Sequence, residues 1–462
     1  MMQQVQIEQL LKVLAAKCDE LRELKGDETE LQQTLALIET LTSRAQKEQT
    51  SDASADAPAR DRKPRSKFGP TEQPRLEQIE ELCTLDAADE TCPSCGGHLE
   101  PMDDQFETSE MIDVVEVSYR VVKVKQQKYV CRCGGCVETA PGPERAIAGG
   151  RYSLAFAIKV AIDKYLDHLP LARQARILDR HGLELSSQVL WDQLEALARN
   201  LRRTYEALLT KLMSEPVIGL DQTSWKRLES KKSKPWQIWC VTAPGLVYHR
   251  IYDDKGASTF KALVGEYEGV IVCDALKTHE AGAREGPGIR LAACWAHVFR
   301  KFEEAEPDHP EATLAMQWIR KLYELDAQTD DVQARAEIRR TQSAAVLAEM
   351  KTWLWSQATL KTLSIGKAAG YTIANWERLT RFVEDARIPL DNNATERAIR
   401  GPVVGRRNHF GSKSRRGTEV AAIFYSLIET AKLCGVDPAK YLLEAVRAAR
   451  LGETLLPSQL VA

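Results

Sequence analysis

Apolar residues in the first 48 positions recur at helical spacing with a seven-residue component. They fill two seam positions of a heptad, at Ile7, Leu14, Leu21 and Leu35 and at Leu10, Leu24, Leu31 and Ile38. Lys17 and Glu28 interrupt the seam. This imperfect heptad pattern predicts a coiled-coil helix that pairs with another chain. The alternative is a solvated helix that folds back on its own protein.

The next 27 residues lose that pattern, because Ser, Ala, Pro and Asp dominate them and no core can form. Cations cluster in their second half, at Arg60, Arg62, Lys63, Arg65 and Lys67. The segment is interpreted as a linker that either touches DNA phosphates or serves as a solubilising tether.

A helical period returns over residues 153–213 and is interrupted once. Gly182 suits the end of a first helix, and Ser186 or Ser187 suits the N-cap of a second. The pattern resembles a helix-turn-helix, whose second helix enters the major groove of DNA. An ordinary helical hairpin gives the same pattern, and the residues alone leave both interpretations open.

From residue 216 the period changes to two, which is typical of strands. The predicted strands are PVIGLDQTSW, WQIWCVTA, LVYHRIY and GVIVCDAL. The segment from HVFRKFEE to about residue 388 is again helical, and helices follow to the C-terminus. Strands flanked by helices predict an α/β core with an all-helical insertion.

Composition narrows the class of protein further. The chain has 462 residues, of which 44% are hydrophobic, and a formal net charge of −3, so any nucleic-acid surface must be a local patch. It contains no apolar run of about 18 residues and no signal-like N-terminus, which predicts a cytoplasmic protein without a membrane span. In that compartment its 11 cysteines are expected to be metal ligands or reduced thiols.

Two cysteine pairs carry a zinc-ribbon pattern. CPSCGG supplies Cys92 and Cys95, and VCRCGGC supplies Cys133 and Cys136, with Cys131 as an alternate ligand. Each pair beside glycine forms a tight knuckle, and two knuckles converge on one tetrahedral Zn²⁺. Four thiolates close the site, so the expected role is structural. Free thiols are the alternative.

Three acids suggest a second kind of metal site. Asp221 and Asp274 each end an apolar strand, and Glu396 lies in the first turns of a helix that Asp391 or Asn392 caps. A buried acid is costly unless it is paired or bound to a cation. Carboxylate oxygens suit Mg²⁺ or Mn²⁺, and two such ions can cleave a phosphodiester. Taken singly, each acid could equally be a cap or turn residue.

A run of cations and glycines follows Glu396. The predicted DNA-binding residues are Arg397, Arg400, Arg406, Arg407, Lys413, Arg415 and Arg416. Glycines there would let the backbone approach phosphate, and His409 and Phe410 would offer stacking surfaces. A solvated basic loop is the alternative. Cys294 and His297, in CWAHVFRKF, are predicted to support the carboxylates from a second layer rather than to form another zinc site.

Several strings resemble the insertion-sequence-66 transposases of bacteria. They are CPSCGG, KYVCRCGGCVETAPGP, KYLDHLPLARQARIL, VIGLDQTSW, VCDAL, CWAHVFRKF, IPLDNNATERAIRGPVVGRRN and FYSLIETAKLCGVDPAKYL. They occur in family order from about residue 68 to 450. The resemblance implies a ribonuclease-H-like core, a DDE triad at Asp221, Asp274 and Glu396, and Mg²⁺-dependent cleavage of element ends and strand transfer into target DNA.

The resulting expectation is a modular DNA enzyme. Its predicted parts are 1–48 coiled-coil helix, 49–75 basic linker, 76–150 zinc-ribbon module, 151–214 helical DNA-binding region, 215–298 first part of the core, 299–388 helical insertion, and 389–462 completion of the core. The expected partners are DNA (terminal inverted repeats and target), a second copy through the N-terminal helix, and small accessory proteins of the same element. The expected location is the cytoplasm, in association with the nucleoid.

One departure from the family pattern keeps other functions open. The family usually has glycine and then a tyrosine-containing stretch after the second acid, but residues 275–279 read ALKTH here. A catalytically inactive or domesticated DNA-binding protein is therefore the main alternative. A structure-specific nuclease on the same core, such as a junction resolvase, is another.

Overall fold

The computed structural model describes residues 117–130, 137–228, 236–274, 277–284 and 288–460, together with residues 82, 94, 95 and 98. The chain divides into two units, Met1–Met111 and Ile112–Ala462, and nearly all described residues belong to the second. The predicted coiled-coil helix and linker lie outside the described residues, as do Cys92, Cys131, Cys133 and Cys136. Among the described residues, none of the helices combines the length and hydrophobicity that a membrane span requires.

The second unit opens with a short ribbon and three helices. Strands β1 (Lys128–Val130) and β2 (Val137–Thr139) pair antiparallel. They precede α1 (Leu154–Tyr165), α2 (Leu171–Arg180) and α3 (Ser187–Met213). The helical pattern read over residues 153–213 is thus present, with short connections on either side of α2.

The connection between α2 and α3 has the predicted local chemistry. Gly182 has a φ of +76°, which is costly for other residues and stops α2. Ser186 caps α3, since its side chain accepts the backbone N–H of Val189 at 3.4 Å. The face of α3 that carries Leu194 and Leu201 is fully buried in the core. Only the opposite face of α3 is therefore open to a partner.

In the part of the chain that the structure describes, five strands form one mixed sheet in the order β5-β4-β3-β6-β7. They are β3 (Val217–Trp225), β4 (Trp236–Ala243), β5 (Leu246–Tyr252), β6 (Gly269–Cys273) and β7 (Ile289–Ala293). β4 pairs antiparallel with both β3 and β5, whereas β6 pairs parallel with both β3 and β7. The parallel crossovers contain α4 (Ala257–Val264) and α5 (Lys277–Arg284).

The sequence pattern predicts four of these strands and misses β7. Its apolar run continues without a polar break into the helix that starts at Trp295. Periodicity alone cannot separate a short buried strand from a buried helix in such a run.

A helical insertion follows the sheet and has a core of its own. Its helices are α6 (Trp295–Ala305), α7 (Ala312–Asp326), α8 (Val332–Ile338), α9 (Ala344–Gln357), α10 (Ser364–Ala374) and α11 (Trp376–Thr380). Phe302, Ile319 and Met350 are fully buried and share one cluster with Val270 and Val272 of the sheet. The insertion is thus packed against the sheet through β6.

A buried arginine closes the end of the insertion. Arg339 is only 1% exposed and pairs with Asp326 Oδ1 at 2.6 Å. It also donates to the backbone carbonyls of Phe382, Asp385 and Ile388 at 2.9, 3.1 and 2.9 Å. These bonds satisfy a buried cation and fix the segment that leads back to the core.

Three helices complete the unit: α12 (Asn393–His409), α13 (Arg415–Leu433) and α14 (Pro438–Arg450). Helix α13 lies against β5, where Ser426 Oγ accepts the His249 backbone N–H at 2.8 Å. Thr430 Oγ1 accepts the Val247 backbone N–H at 3.0 Å. Helix α13 thus satisfies backbone groups along the outer edge of the sheet.

Candidate active site

The parallel pairing of β3 with β6 brings Asp221 and Asp274 side by side. In the register of β3 and β6, Leu220 pairs with Cys273, and the next residue on each strand is one of these acids. The prediction that Asp221 ends its strand is wrong, because β3 continues to Trp225 in antiparallel pairing with β4. Asp221 instead lies where the parallel pairing with β6 stops.

Asp221 is affected by both other acids. Burial raises the pKa of Asp221 to about 6, and the negative charges of Asp274 and Glu396 act in the same direction. A hydrogen bond from the Gln222 backbone N–H, at 2.7 Å, and the nearby His297 offset part of this rise. The predicted acids are thus electrostatic neighbours, and a divalent cation among them would relieve their repulsion.

Glu396 approaches from the first turn of α12, whose start is fixed against the sheet. Asn392 Nδ2 donates to the Leu220 carbonyl at 2.9 Å. Thr395 Oγ1 and Thr242 Oγ1 share a buried hydrogen bond of 2.6 Å. These bonds place the helix start beside the end of the parallel pairing, which explains why Glu396 lies near the two aspartates.

Asp391 connects the same helix start to the insertion. Its Oδ1 accepts the backbone N–H of Asn393 at 2.9 Å and so satisfies the first N–H of α12, whereas Asn392, at the N-cap position, makes no capping bond with its side chain. Its Oδ2 accepts the hydroxyl of Tyr323, in α7, at 2.9 Å. The sequence indicates the cap but gives no signal for this tyrosine, which lies far away along the chain.

His297 bridges two of the acids. Its Nδ1 lies 3.0 Å from Asp274 Oδ1, and its Nε2 lies 3.9 Å from Glu396 Oε1. The side chains of Asp274 and then Cys294 raise the pKa of His297 to about 10. Cys294 and His297 therefore lie near the carboxylates, whereas the expectation that they support the acids rather than form another zinc site stays a prediction.

Arg300 is a neighbour of Glu396 that the sequence reasoning missed. Its Nη2 donates to Glu396 Oε1 at 3.0 Å and to Oε2 at 3.3 Å. Arg300 follows His297 by three residues on α6, and residues with that spacing share one face of a helix. The spacing could therefore have revealed it.

The three carboxylates have the right chemistry for a hard divalent cation, but their oxygens do not all lie within 4.8 Å of one another, a spacing that only Cys294, His297 and Glu396 reach among the described residues. Asp274 Oδ1 is buried and has no aligned hydrogen-bond donor among the described residues, although His297 Nδ1 is close. Asp221 and Glu396 supply further oxygens, which are the ligands that Mg²⁺ and Mn²⁺ prefer. These acids are therefore candidate ligands for such a cation.

The basic stretch after Glu396 is mostly helical, as the sequence pattern predicts, and its non-helical part is the connection from residue 410 to 414. Helix α12 runs through His409, and α13 begins at Arg415. A Cβ at Gly405 would lie 2.0 Å from the Tyr425 hydroxyl, so this glycine permits helix packing rather than close approach to phosphate. The His409 side chain is also engaged within the protein, since its Nε2 lies 3.2 Å from the same Tyr425 hydroxyl.

The predicted DNA-contacting cations fall into two groups. Those that are exposed and make no ion pair among the described residues are Arg397, Arg400, Arg407, Lys413 and Arg415. Arg406 instead donates to Thr223 Oγ1 at 3.1 Å and to Ser224, and Arg416 is paired with Glu195. On α12, Arg397, Arg400 and Arg407 lie at positions that share one helix face with Glu396, and Arg406 lies on another face. Phe410 is 63% exposed beyond the end of that helix.

The stretch that departs from the family pattern contributes a buried contact. Residues 277–284 form α5, and His279 is fully buried between Trp239 and Phe260. Its Nδ1 lies 3.3 Å from the backbone carbonyl of Asp274, and burial lowers the pKa of His279. This segment therefore packs directly behind the second acid.

Two family models match the chain. One, described as the zinc-finger binding domain of transposase IS66, matches residues 89–134 and so includes Cys92, Cys95, Cys131 and Cys133 but ends before Cys136. The other, described as Transposase IS66 family, matches residues 149–420, which contain the whole acid cluster. The chain is therefore a DNA-processing enzyme with a zinc-finger domain near its N-terminus.

Relatives in Sinorhizobium fredii (strain NBRC 101917 / NGR234) support the same assignment. The uncharacterized protein y4jD is 30% identical over 421 residues, which cover 84% of this chain and 81% of that protein. The uncharacterized protein y4qI is 30% identical over 431 residues, which cover 88% and 78% respectively. The chain belongs to the IS66 family of transposases.

Proposed function

We propose that the chain is a DDE transposase whose Asp221, Asp274 and Glu396 hold Mg²⁺ or Mn²⁺ in a ribonuclease-H-like core. The main support is the parallel register that sets the two aspartates side by side, with His297 between Asp274 and Glu396. The mixed sheet, three antiparallel strands followed by two parallel ones, supports the fold. Divalent ions bound there would activate the attacking oxygen and stabilise the leaving oxygen.

The proposed reaction has two phosphoryl transfers. Water attacks the phosphodiester at the end of the element and frees a 3′-hydroxyl, which then attacks the target DNA. The carboxylates position the cations, and the exposed Arg397, Arg400 and Arg407 bind the phosphates that flank the scissile bond. These arginines lie on α12, the helix that carries Glu396, so DNA bound along that face would lead directly to the acid cluster.

The remaining parts of the chain have proposed roles around this centre. The zinc-ribbon module, with Cys92 and Cys95 and a second pair drawn from Cys131, Cys133 and Cys136, binds a structural Zn²⁺ and contacts DNA. Helices α2 and α3 form a second DNA contact through their open faces. The N-terminal helix pairs two copies, and small accessory proteins of the same element assist them at the nucleoid.

The test is cleavage of DNA that carries the terminal inverted repeats of the element, with and without Mg²⁺. Asp274→Asn should slow cleavage by about 10³-fold or more, since cation binding supplies several kcal/mol to the transition state. Asp308→Asn, the same change at an exposed position in the insertion, is the matched control.

Two alternatives predict different results in this assay. DNA binding without cleavage, and an Asp274→Asn variant that is no worse than the unchanged protein, would favour an inactive DNA-binding derivative. The observation that favours this alternative is the stretch at residues 275–279, which departs from the family pattern. Cleavage without any joining of ends would instead favour a structure-specific nuclease.

A further inference from the structure

A softer set of ligand atoms lies beside the carboxylates. Cys294 Sγ, a ring nitrogen of His297 and a carboxylate oxygen of Glu396 all lie within 4.8 Å of one another. Cys294 is 2% exposed, and the other two side chains are partly buried. Sulfur and imidazole ligands favour Zn²⁺ and related ions, whereas Mg²⁺ prefers oxygen. The set thus differs in chemistry from the Asp221, Asp274 and Glu396 group.

Backbone bonds hold these ligands in place without a cation. The Trp295 backbone N–H donates to the Leu390 carbonyl at 2.9 Å. The Asn392 backbone N–H donates to Cys294 Sγ at 3.3 Å. The start of α6 is therefore joined to the residues just before α12 through Cys294 and Trp295. A preformed site of this kind does not require the chain to rearrange before it binds an ion.

The orientation of His297 also suits a metal ligand. Metal-bound histidines commonly present their other ring nitrogen to a carboxylate, which fixes the ring. Here Nδ1 faces Asp274 Oδ1 at 3.0 Å, while Nε2 faces Glu396 Oε1 at 3.9 Å. Arg300 donates to both Glu396 oxygens, including the Oε1 that faces His297, and would have to release one of them when the ion enters.

We propose that Cys294, His297 and Glu396 form a binding site for one zinc-class divalent cation. A water or a substrate oxygen would complete its tetrahedral shell. Because Glu396 belongs to both groups, this ion competes with Mg²⁺ and inhibits cleavage. The inhibition rests on the proposed function, whereas the binding site itself does not.

Metal binding is tested first, on the full-length chain with Co²⁺ as the probe. Cobalt–thiolate absorption and equilibrium dialysis should show one more bound equivalent in the unchanged protein than in Cys294→Ser. The cysteines of the zinc-finger domain are identical in both proteins, so their contribution cancels. Cys434→Ser, a change of a partly exposed cysteine outside the cluster, should retain the extra equivalent.

His297→Gln provides a second reading in case Cys294→Ser does not fold, and circular dichroism checks both variants. His297→Gln should also bind one equivalent of Co²⁺ fewer than the unchanged protein. Equal numbers of bound equivalents in the unchanged protein and in a folded variant of either kind would overturn the proposal.

Inhibition is tested second, with each protein compared to its own zinc-free rate. Zn²⁺ should inhibit Mg²⁺-dependent cleavage by the unchanged protein at concentrations at least about tenfold lower than it does for Cys294→Ser. Equal sensitivity would overturn the competition. Active cleavage without the extra cobalt equivalent would refute this site and leave the proposed function intact. An extra equivalent in a protein that does not cleave would support the site and count against the proposed function.

Discussion

Gly219 on β3 faces the start of α12 so closely that no side chain fits between them. A Cβ added there would lie 2.1 Å from Thr395 Oγ1 and 2.6 Å from Thr242 Oγ1, well inside the 3.0 Å below which such contacts are essentially never seen. Gly219→Ala should therefore push the first turn of α12 away from the sheet by roughly 1 Å. Glu396 lies in that turn and would move with it.

Two costs determine the size of the effect. Overpacking a tight interior costs about 1–3 kcal/mol. The hydrogen bond between Thr395 and Thr242, whose side chains are both buried, would also be broken, and the loss of this buried bond costs about 1–3 kcal/mol. Gly219→Ala should thus lower the free energy of unfolding by roughly 2–6 kcal/mol. A displacement of about 1 Å at the acid cluster should slow cleavage about 10²-fold.

Urea unfolding measures the first effect, as a lower midpoint at unchanged slope, and cleavage of terminal-repeat DNA measures the second. Gly370→Ala is the control, since a Cβ there meets no atom within 4 Å and α10 should gain about 0.5–1 kcal/mol. Adding Thr395→Ala should recover part of the lost stability by removing the nearest oxygen. A Gly219→Ala protein as stable and active as the unchanged one would refute the close contact between β3 and α12.

Three further predictions concern other parts of the unit. Arg339→Met leaves buried carbonyls unpaired, so urea unfolding should show a free energy of unfolding about 3–5 kcal/mol lower. The control Arg340→Met changes an exposed arginine and should lower the free energy of unfolding by less than about 1 kcal/mol. Burial lowers the pKa of His249 to about 3, whereas a histidine in the unfolded chain binds a proton below about pH 6.5. The contribution of neutral His249 to the free energy of unfolding is therefore complete above about pH 6.5. Below about pH 6.5 that contribution falls by about 1.4 kcal/mol per pH unit. His249→Phe should remove that part of the loss in urea midpoints compared between pH 7 and pH 5. Arg407→Gln should reduce the salt dependence of DNA binding by about one charge without changing the melting temperature, and Arg406→Gln, which loses bonds to β3, should lower the melting temperature.

The sequence predicts the meeting of Asp221 and Asp274 because strand periodicity is a strong local signal. Two apolar strands that end in acids are expected at one edge of a sheet, and β3 and β6 do pair in parallel. The same periodicity does not reveal β7. It also wrongly places Asp221 at a strand end, because a local pattern does not show where β3 stops pairing with one neighbour and continues to pair with another. That difference is visible only once the partners of β3 are known.

Helix α12 shows how tertiary contacts override local propensity. Gly401, Pro402 and Gly405 favour a loop by intrinsic preference, yet all three lie inside a helix. A Cβ on Gly401 would lie 2.9 Å from Glu429 Oε1, and one on Gly405 would meet the Tyr425 hydroxyl. Glycine is therefore required by the approach of α13, a constraint that comes from residues later in the chain.

The helical insertion has its own hydrophobic core, and it also helps to set the distance between Asp274 and Glu396. It supplies His297 and Arg300, which contact Asp274 and Glu396, and it also contains Arg339. Arg339 fixes the carbonyl of Ile388, two residues before the carbonyl that accepts the first N–H of α6. The end of the insertion and the start of α12 are thus one tied segment. Protein contacts therefore set the distance between the second and third acids before any cation binds. Loss of the Arg339 bonds should disturb the acids even though Arg339 touches none of them.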